Sequence, residues 1–119
     1  MAGEPSFFEI GVGDVERAKV FYGELFGWEL EPGPSGGAVI TTPGLPGGMH
    51  GGDEGASPYL FFKVDDLDGA IAKVRELGGE ADVMPGSEDS EAETISQFGR
   101  FALCKDDQGS AFGLHVPPQ

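Results

Sequence analysis

The chain repeats itself. Sliding the first half forward by 52 positions lays Val12 on Val64, Asp14 on Asp66, Ala18 on Ala70, Glu24 on Glu76, Leu25 on Leu77 and Gly27 on Gly79. A shift of 65 does the same for the ends of the halves, where Gly44 meets Gly109, Gly48 meets Gly113 and His50 meets His115. The difference of 13 is absorbed by longer loops in the second half, mainly residues 85–97. A period of this length marks a duplicated supersecondary unit. One such unit cannot cover both faces of its own sheet, whereas two can pair. The expectation is an α+β fold of two tandem βαβββ modules, about 5–52 and 57–117, within one domain spanning 1–119. Together they would form a curved eight-stranded mixed sheet around a cavity, with the helices outside.

Each half supports that element order. Residues 6–12, SFFEIGV, are β-branched and aromatic and read as a strand. Asp14 follows as an N-cap, and Val15, Ala18, Phe21, Tyr22, Leu25 and Phe26 recur at helical spacing before Gly27 stops the helix. WELE (28–31) and AVITT (38–42) read as strands separated by the turn cluster PGPSGG, and MHGG (49–52) as a short fourth strand. In the second half YLFFKV (59–64) is a strand and Asp65 or Asp66 caps a helix. That helix carries Leu67, Ala70, Ile71, Val74 and Leu77 on one face and ends at Gly78 and Gly79. EADVM (80–84) follows, then an acidic loop at 85–97 read as a mobile lid. Strands at 99–105 and 111–116 are joined by a DDQG turn.

Strand side chains alternate between faces. Phe8, Ile10 and Val12 should pack under the first helix, and Leu60, Phe62 and Val64 under the second. The opposite, concave face then receives Phe7 and Glu9 from the first strand and Tyr59, Phe61 and Lys63 from the fifth. His50 and His115 are its remaining polar candidates. Phe7, Tyr59, Phe61, Glu9, Lys63 and His115 are thus the candidate ligand-binding set, and Glu9, His50 and His115 the weaker catalytic candidates. Each has a plainer reading. The aromatics could simply be core, and Glu9 could pair with Lys63 across the sheet. His50 could be a loop histidine, His115 could be exposed, and Trp28 could pack at a module edge.

The charge balance narrows the partners. Seven basic residues against 21 acidic ones give a net charge of −14, which opposes binding to a nucleic-acid backbone or an anionic membrane. No segment is long and apolar enough to span a bilayer, and the N-terminus does not read as a signal peptide. A cytoplasmic protein is expected. Cys104, the one cysteine, lies in an apolar run and reads as a small buried hydrophobe.

Three strings carry a resemblance. GDVERAKVFYGELFGWEL (13–30) and VDDLDGAIAKVRELGG (64–79) resemble the helix motifs of the two modules of the vicinal oxygen chelate superfamily. GRFALCKDDQGSAFGLHVP (99–117) resembles its closing hairpin. That superfamily includes glyoxalases, bleomycin-resistance proteins and extradiol dioxygenases. The resemblance implies four metal-ligand positions on the concave face, usually His or Glu. The first lies seven residues before each capping Asp, and the last lies four residues after the turn glycine. In this sequence they fall on Phe7, Gly48, Tyr59 and Gly113, none of which offers a metal-binding side chain. No cofactor is therefore expected, a divalent metal held by Glu9, His50 and His115 being the alternative. The resemblance also implies a homodimer. Three functions follow: sequestration of a small hydrophobic, aromatic or cationic molecule; a metal-free isomerase, epimerase or lyase using Glu9 or a histidine as base; and a metal-dependent lyase or dioxygenase.

Overall fold

The computed structural model describes residues 3–83 and 98–118. The loop 85–97, with the lid expected there, lies outside the described residues. The chain divides into two compact units, Phe7–Tyr59 and Met1–Ser6 with Leu60–Gln119. Its elements run β1 (Pro5–Gly11), α1 (Val15–Phe26), β2 (Glu29–Pro32), β3 (Ala38–Thr41), β4 (Gly47–His50), β5 (Tyr59–Lys63), α2 (Leu67–Glu76), β6 (Glu80–Val83), β7 (Arg100–Lys105) and β8 (Ala111–Val116). The fold is α+β, with two helices and eight strands among the described residues. None of those helices is long and apolar enough to cross a membrane.

The two units share one strand plan. In the first, the strands are ordered β2-β3-β4-β1; in the second, β6-β7-β8-β5. In each, the pairs are antiparallel except the last, β1 with β4 or β5 with β8, which is parallel. Glu9 stands opposite Gly48 and Gly11 opposite His50. In the second unit Phe61 stands opposite Gly113 and Lys63 opposite His115. Glu9 maps to Phe61 by the shift of 52, and Gly48 maps to Gly113 by the shift of 65. The strand ladders thus carry both offsets of the sequence repeat.

Local chemistry sets the helix ends. The Asp14 carboxylate accepts the Arg17 backbone N–H at 3.2 Å, and that of Asp66 accepts the Gly69 N–H at 3.2 Å. Gly27 closes α1 at φ 74°, a left-handed conformation that favours glycine. In the first unit Ile10, Ala18, Ala38, Ile40 and Met49 form the buried cluster, with Phe8, Val12, Val15 and Tyr22 packed against it. The second unit buries Leu67, Ile71, Ala81, Ala102, Cys104 and Leu114 together, with Val64 and Phe112 alongside. The Cys104 thiol is pushed up to about 11 by burial and by the Asp82 charge, which leaves it unreactive.

Several expectations are corrected. The apolar stripe of α1 is wider than the surface its sheet offers, so Phe21 remains 60% exposed, and Leu25 and Phe26 are also exposed. Aromatic rings cover one another there. Trp28 lies 5.6 Å from both Tyr22 and Phe8 and 4.7 Å from Phe26, in keeping with the edge packing read from the sequence. α2 packs across β6, β7 and β8, and Leu60 of β5, expected beneath it, is 44% exposed. The fourth strand is GGMH (Gly47–His50), not MHGG, so His50 is its last residue rather than its second. The Glu9–Lys63 pair is replaced: Glu9 bonds His50, and the Lys63 ammonium lies 4.0 Å from Glu4.

Candidate functional site

In the first unit, α1 occupies one face of the strands and a polar group occupies the other. On β4, Met49 joins the helix-side cluster, so alternation turns the neighbouring Gly48 and His50 positions to the opposite face. Glu9 of β1 lies there too. Its Oε2 is 2.7 Å from His50 Nδ1, and His50 Nε2 is 2.8 Å from Asp53 Oδ2. Glu9 is the most sheltered of the three, its side chain 17% exposed against 46% for His50 and 51% for Asp53.

Two glycines clear the floor for this group. A Cβ on Gly48 would stand 2.6 Å from Glu9 Oε1 and 3.4 Å from the tip of the Phe7 ring. A Cβ on Gly11 would stand 2.6 Å from Asp53 Oδ2 and 2.8 Å from His50 Nε2. Asp53 is held by backbone bonds that tie its loop to the end of β1. Its N–H donates to Val12 O at 2.9 Å, Val12 N–H donates to His50 O at 2.9 Å, and Gly52 N–H donates to Gly13 O at 3.3 Å.

The electrostatics follow from this sandwich. Burial raises the Glu9 pKa above the usual carboxylate value, against the opposing hydrogen bond and charge of His50. Burial alone would lower His50, but hydrogen bonds to Asp53 and Glu9, with their charges, outweigh it and hold the imidazolium above its ordinary value. With an acceptor oxygen at each nitrogen, both ring nitrogens serve as donors in the charged form.

The second unit answers the same positions with aromatics. Phe61 replaces Glu9 and is 1% exposed, its ring lying where a Cβ on Gly113 would fall. Phe101 meets Phe61 edge-on at 5.0 Å and stacks on His115 at 4.6 Å with the planes 6° apart. His115 is 2% exposed rather than open to solvent. Its Nε2 donates to Phe98 O at 2.8 Å, so its Nδ1, 2.7 Å from Ser6 Oγ, accepts the Ser6 hydroxyl. Burial lowers its pKa, against the Phe98 bond, and favours the neutral ring.

The candidates therefore sort by unit. Glu9 and His50 come together, Phe7 is buried beside Glu9, and Tyr59 is half-buried. Lys63 is half-buried near Glu4. His115 has both nitrogens engaged inside its own unit. Asp53, Gly11, Ser6 and Phe101 are the contributors that sequence reasoning missed. Of these Asp53 left a trace, three residues beyond His50 across a Gly-Gly pair.

The residues do not fit the metal site that the motif resemblance implies. Its four positions are Phe7, Gly48, Tyr59 and Gly113, and the volume beside the two glycines is taken by Glu9 and Phe61. Among the described residues no group of three or more His, Cys, Asp or Glu is arranged to hold a metal ion. Glu9 and Asp53 sit at opposite nitrogens of His50, so the three do not converge on one point.

Comparison with known proteins gives a consistent set. Residues 6–43 match the model of the bleomycin resistance protein-like N-terminal family. The chain is 32% identical over 124 residues to CFP32 of Mycobacterium bovis, a protein named as a glyoxylase, covering 94% of this chain and 45% of that protein. It is 27% identical over 134 residues to the anthracycline biosynthesis protein DnrV of Streptomyces peucetius, covering 94% and 46%. It thus spans about half the length of these curated relatives. A glyoxylase-like domain-containing protein of Didymella fabae is 33% identical over 92 residues, with 66% of this chain and 70% of that protein covered. Among solved structures, methylmalonyl-CoA epimerase from Mycobacterium tuberculosis shares the fold at a TM-score of 0.66 and 16% identity, covering 98% and 89%.

Proposed function

The chain belongs to the vicinal oxygen chelate superfamily, and from that premise we propose that it binds a small hydrophobic or aromatic molecule on the helix-free side of its strands without a side-chain metal site. One observation carries the reading. The positions at which the superfamily holds its metal are here two aromatic residues and two glycines, and Glu9 and Phe61 lie over the glycines. In the first unit that leaves the Phe7 ring beside the Glu9 carboxylate where the superfamily would place a ligand, which suits an apolar ring better than an ion. The net charge of −14 raises the local concentration of cations, so a ring bearing an amine fits better than one bearing an acid.

The relatives support the same direction. One is named for anthracycline biosynthesis, a chemistry of fused aromatic rings, and the matching family model is named for bleomycin resistance. The lone buried thiol of Cys104 suits a reducing compartment, and the proposal includes a cytoplasmic location.

The test is saturation-transfer NMR against bicyclic aromatic probes, 2-tetralone and its cationic analogue 2-aminotetralin, with a chelator present. Saturable transfer to the aromatic protons, weakened in Phe7→Leu, supports the reading. No transfer to either probe at millimolar concentration counts against it.

A further inference from the structure

We propose that Ser6 is a nucleophile activated by His115, and that it takes the acyl group of small aryl esters. Both residues belong to the second unit, and the inference does not rest on the ligand reading above. The geometry carries it. The Ser6 hydroxyl donates to His115 Nδ1 at 2.7 Å, and His115 Nε2 donates to the Phe98 carbonyl at 2.8 Å. Hydroxyl, imidazole and acceptor thus follow one another. That order makes a serine nucleophilic, with a base on its proton and a third group holding the base in the right tautomer. The third group here is a backbone carbonyl instead of a carboxylate.

The fold brings the pair together from opposite ends of the chain. Gly3 N–H donates to Lys63 O and Lys63 N–H donates to Glu4 O, each at 2.8 Å, which fastens the first residues beside β5. Lys63 in turn stands opposite His115 in the pairing of β5 with β8. The Phe101 ring, stacked on the imidazole at 4.6 Å, fixes its plane. His115 is sealed from solvent, and burial keeps its ring neutral, the state that can accept a proton. Ser6 is only partly buried, so the attacking oxygen is open while its base is covered. A buried imidazole is satisfied by any donor at Nδ1; a partly exposed hydroxyl in that place adds a reactive atom.

In the step, a lone pair of Ser6 Oγ forms a bond to the ester carbonyl carbon, and the hydroxyl proton passes to His115 Nδ1. The bond from that carbon to the aryl oxygen breaks, and its electron pair leaves on the aryl oxide. The imidazolium then gives its proton to the aryl oxide. The products are acyl-Ser6 and a phenol, so the balance closes with no other reactant. Aryl esters are the favoured class because an aryl oxide leaves without prior protonation.

The experiment incubates the protein with 4-nitrophenyl acetate at neutral pH and locates the acetyl group by peptide mapping. Ser6 should carry it, and Ser6→Ala should lose both that acetyl group and the matching release of nitrophenol. Acetylation of Ser6 should be about a hundredfold slower in His115→Gln. The parent unfolded in urea should show the same loss, which keeps the test open if His115→Gln does not fold. Nitrogen NMR of the His115 ring should place its proton on Nε2. Acetyl groups confined to other residues would overturn the proposal. So would equal rates at Ser6 in the folded and urea-unfolded parent, or a ring proton on Nδ1, which would leave Ser6 without a base.

Discussion

Glu9 and Gly48 face each other in the parallel pairing of β1 and β4, and the Glu9 carboxylate lies across the glycine, 2.6 Å from the point where a side chain at 48 would begin. The same relation recurs in the second unit between Phe61 and Gly113. These two pairs lead to a direct comparison. Gly48→Ala should cost about 1–3 kcal/mol, because Glu9 must swing away. Gly113→Ala should cost more, because the buried Phe61 ring cannot. Chemical denaturation of both variants checks the order, and His50 should titrate lower in Gly48→Ala once Glu9 is displaced.

Much of this arrangement can be read in the sequence, and the part that cannot has a physical reason. The repeat offsets, the capping aspartates Asp14 and Asp66, and the strand faces of Phe8 and Ile10 follow from local spacing, as does the helix-side place of Val64. The partner of Glu9 does not. It depends on the register of β1 against the Gly-rich segment around β4, a non-local quantity that alternation along one strand leaves open. A one-strand reading therefore gives Glu9 to Lys63 rather than to His50. Asp53 was missed because a loop residue has no periodicity to mark it. The exposed Phe21 and Leu25 show the opposite failure: helical spacing marks an apolar stripe but not how much of it the sheet covers.

His115 and His50 should give stability opposite dependence on pH. The folded pKa of His115 lies below the ordinary 6.5, so its contribution is present above 6.5 and is lost as pH falls through the folded value. The folded pKa of His50 lies above 6.5, so its contribution is present below 6.5 and is lost as pH rises through the folded value. Its half-exposed ring makes that effect small. Urea denaturation across this range should show the acid-side loss disappear in His115→Gln and the alkaline-side loss disappear in His50→Gln.

Core and surface apolar residues should separate cleanly. Ile40, fully buried among Ile10, Ala38 and Met49, should lose about 2–5 kcal/mol on truncation to Ala. Phe21→Ser, on the exposed side of α1, should stay within about 0.5 kcal/mol. A comparable loss at both positions would mean that α1 is covered in solution.

A homodimer is the assembly expected from the family resemblance. Light scattering at high micromolar concentration should give twice the chain mass of 12.4 kDa. A mass of one chain would contradict it.

The most direct test of the account is a calorimetric titration of 2-tetralone into protein purified with zinc, iron, nickel and manganese available, run before and after chelation, with bound metal determined on the same sample. The account predicts saturable binding unchanged by chelation, and far less than one equivalent of any metal. Binding that disappears with the chelator and returns with one equivalent of a divalent ion would contradict it.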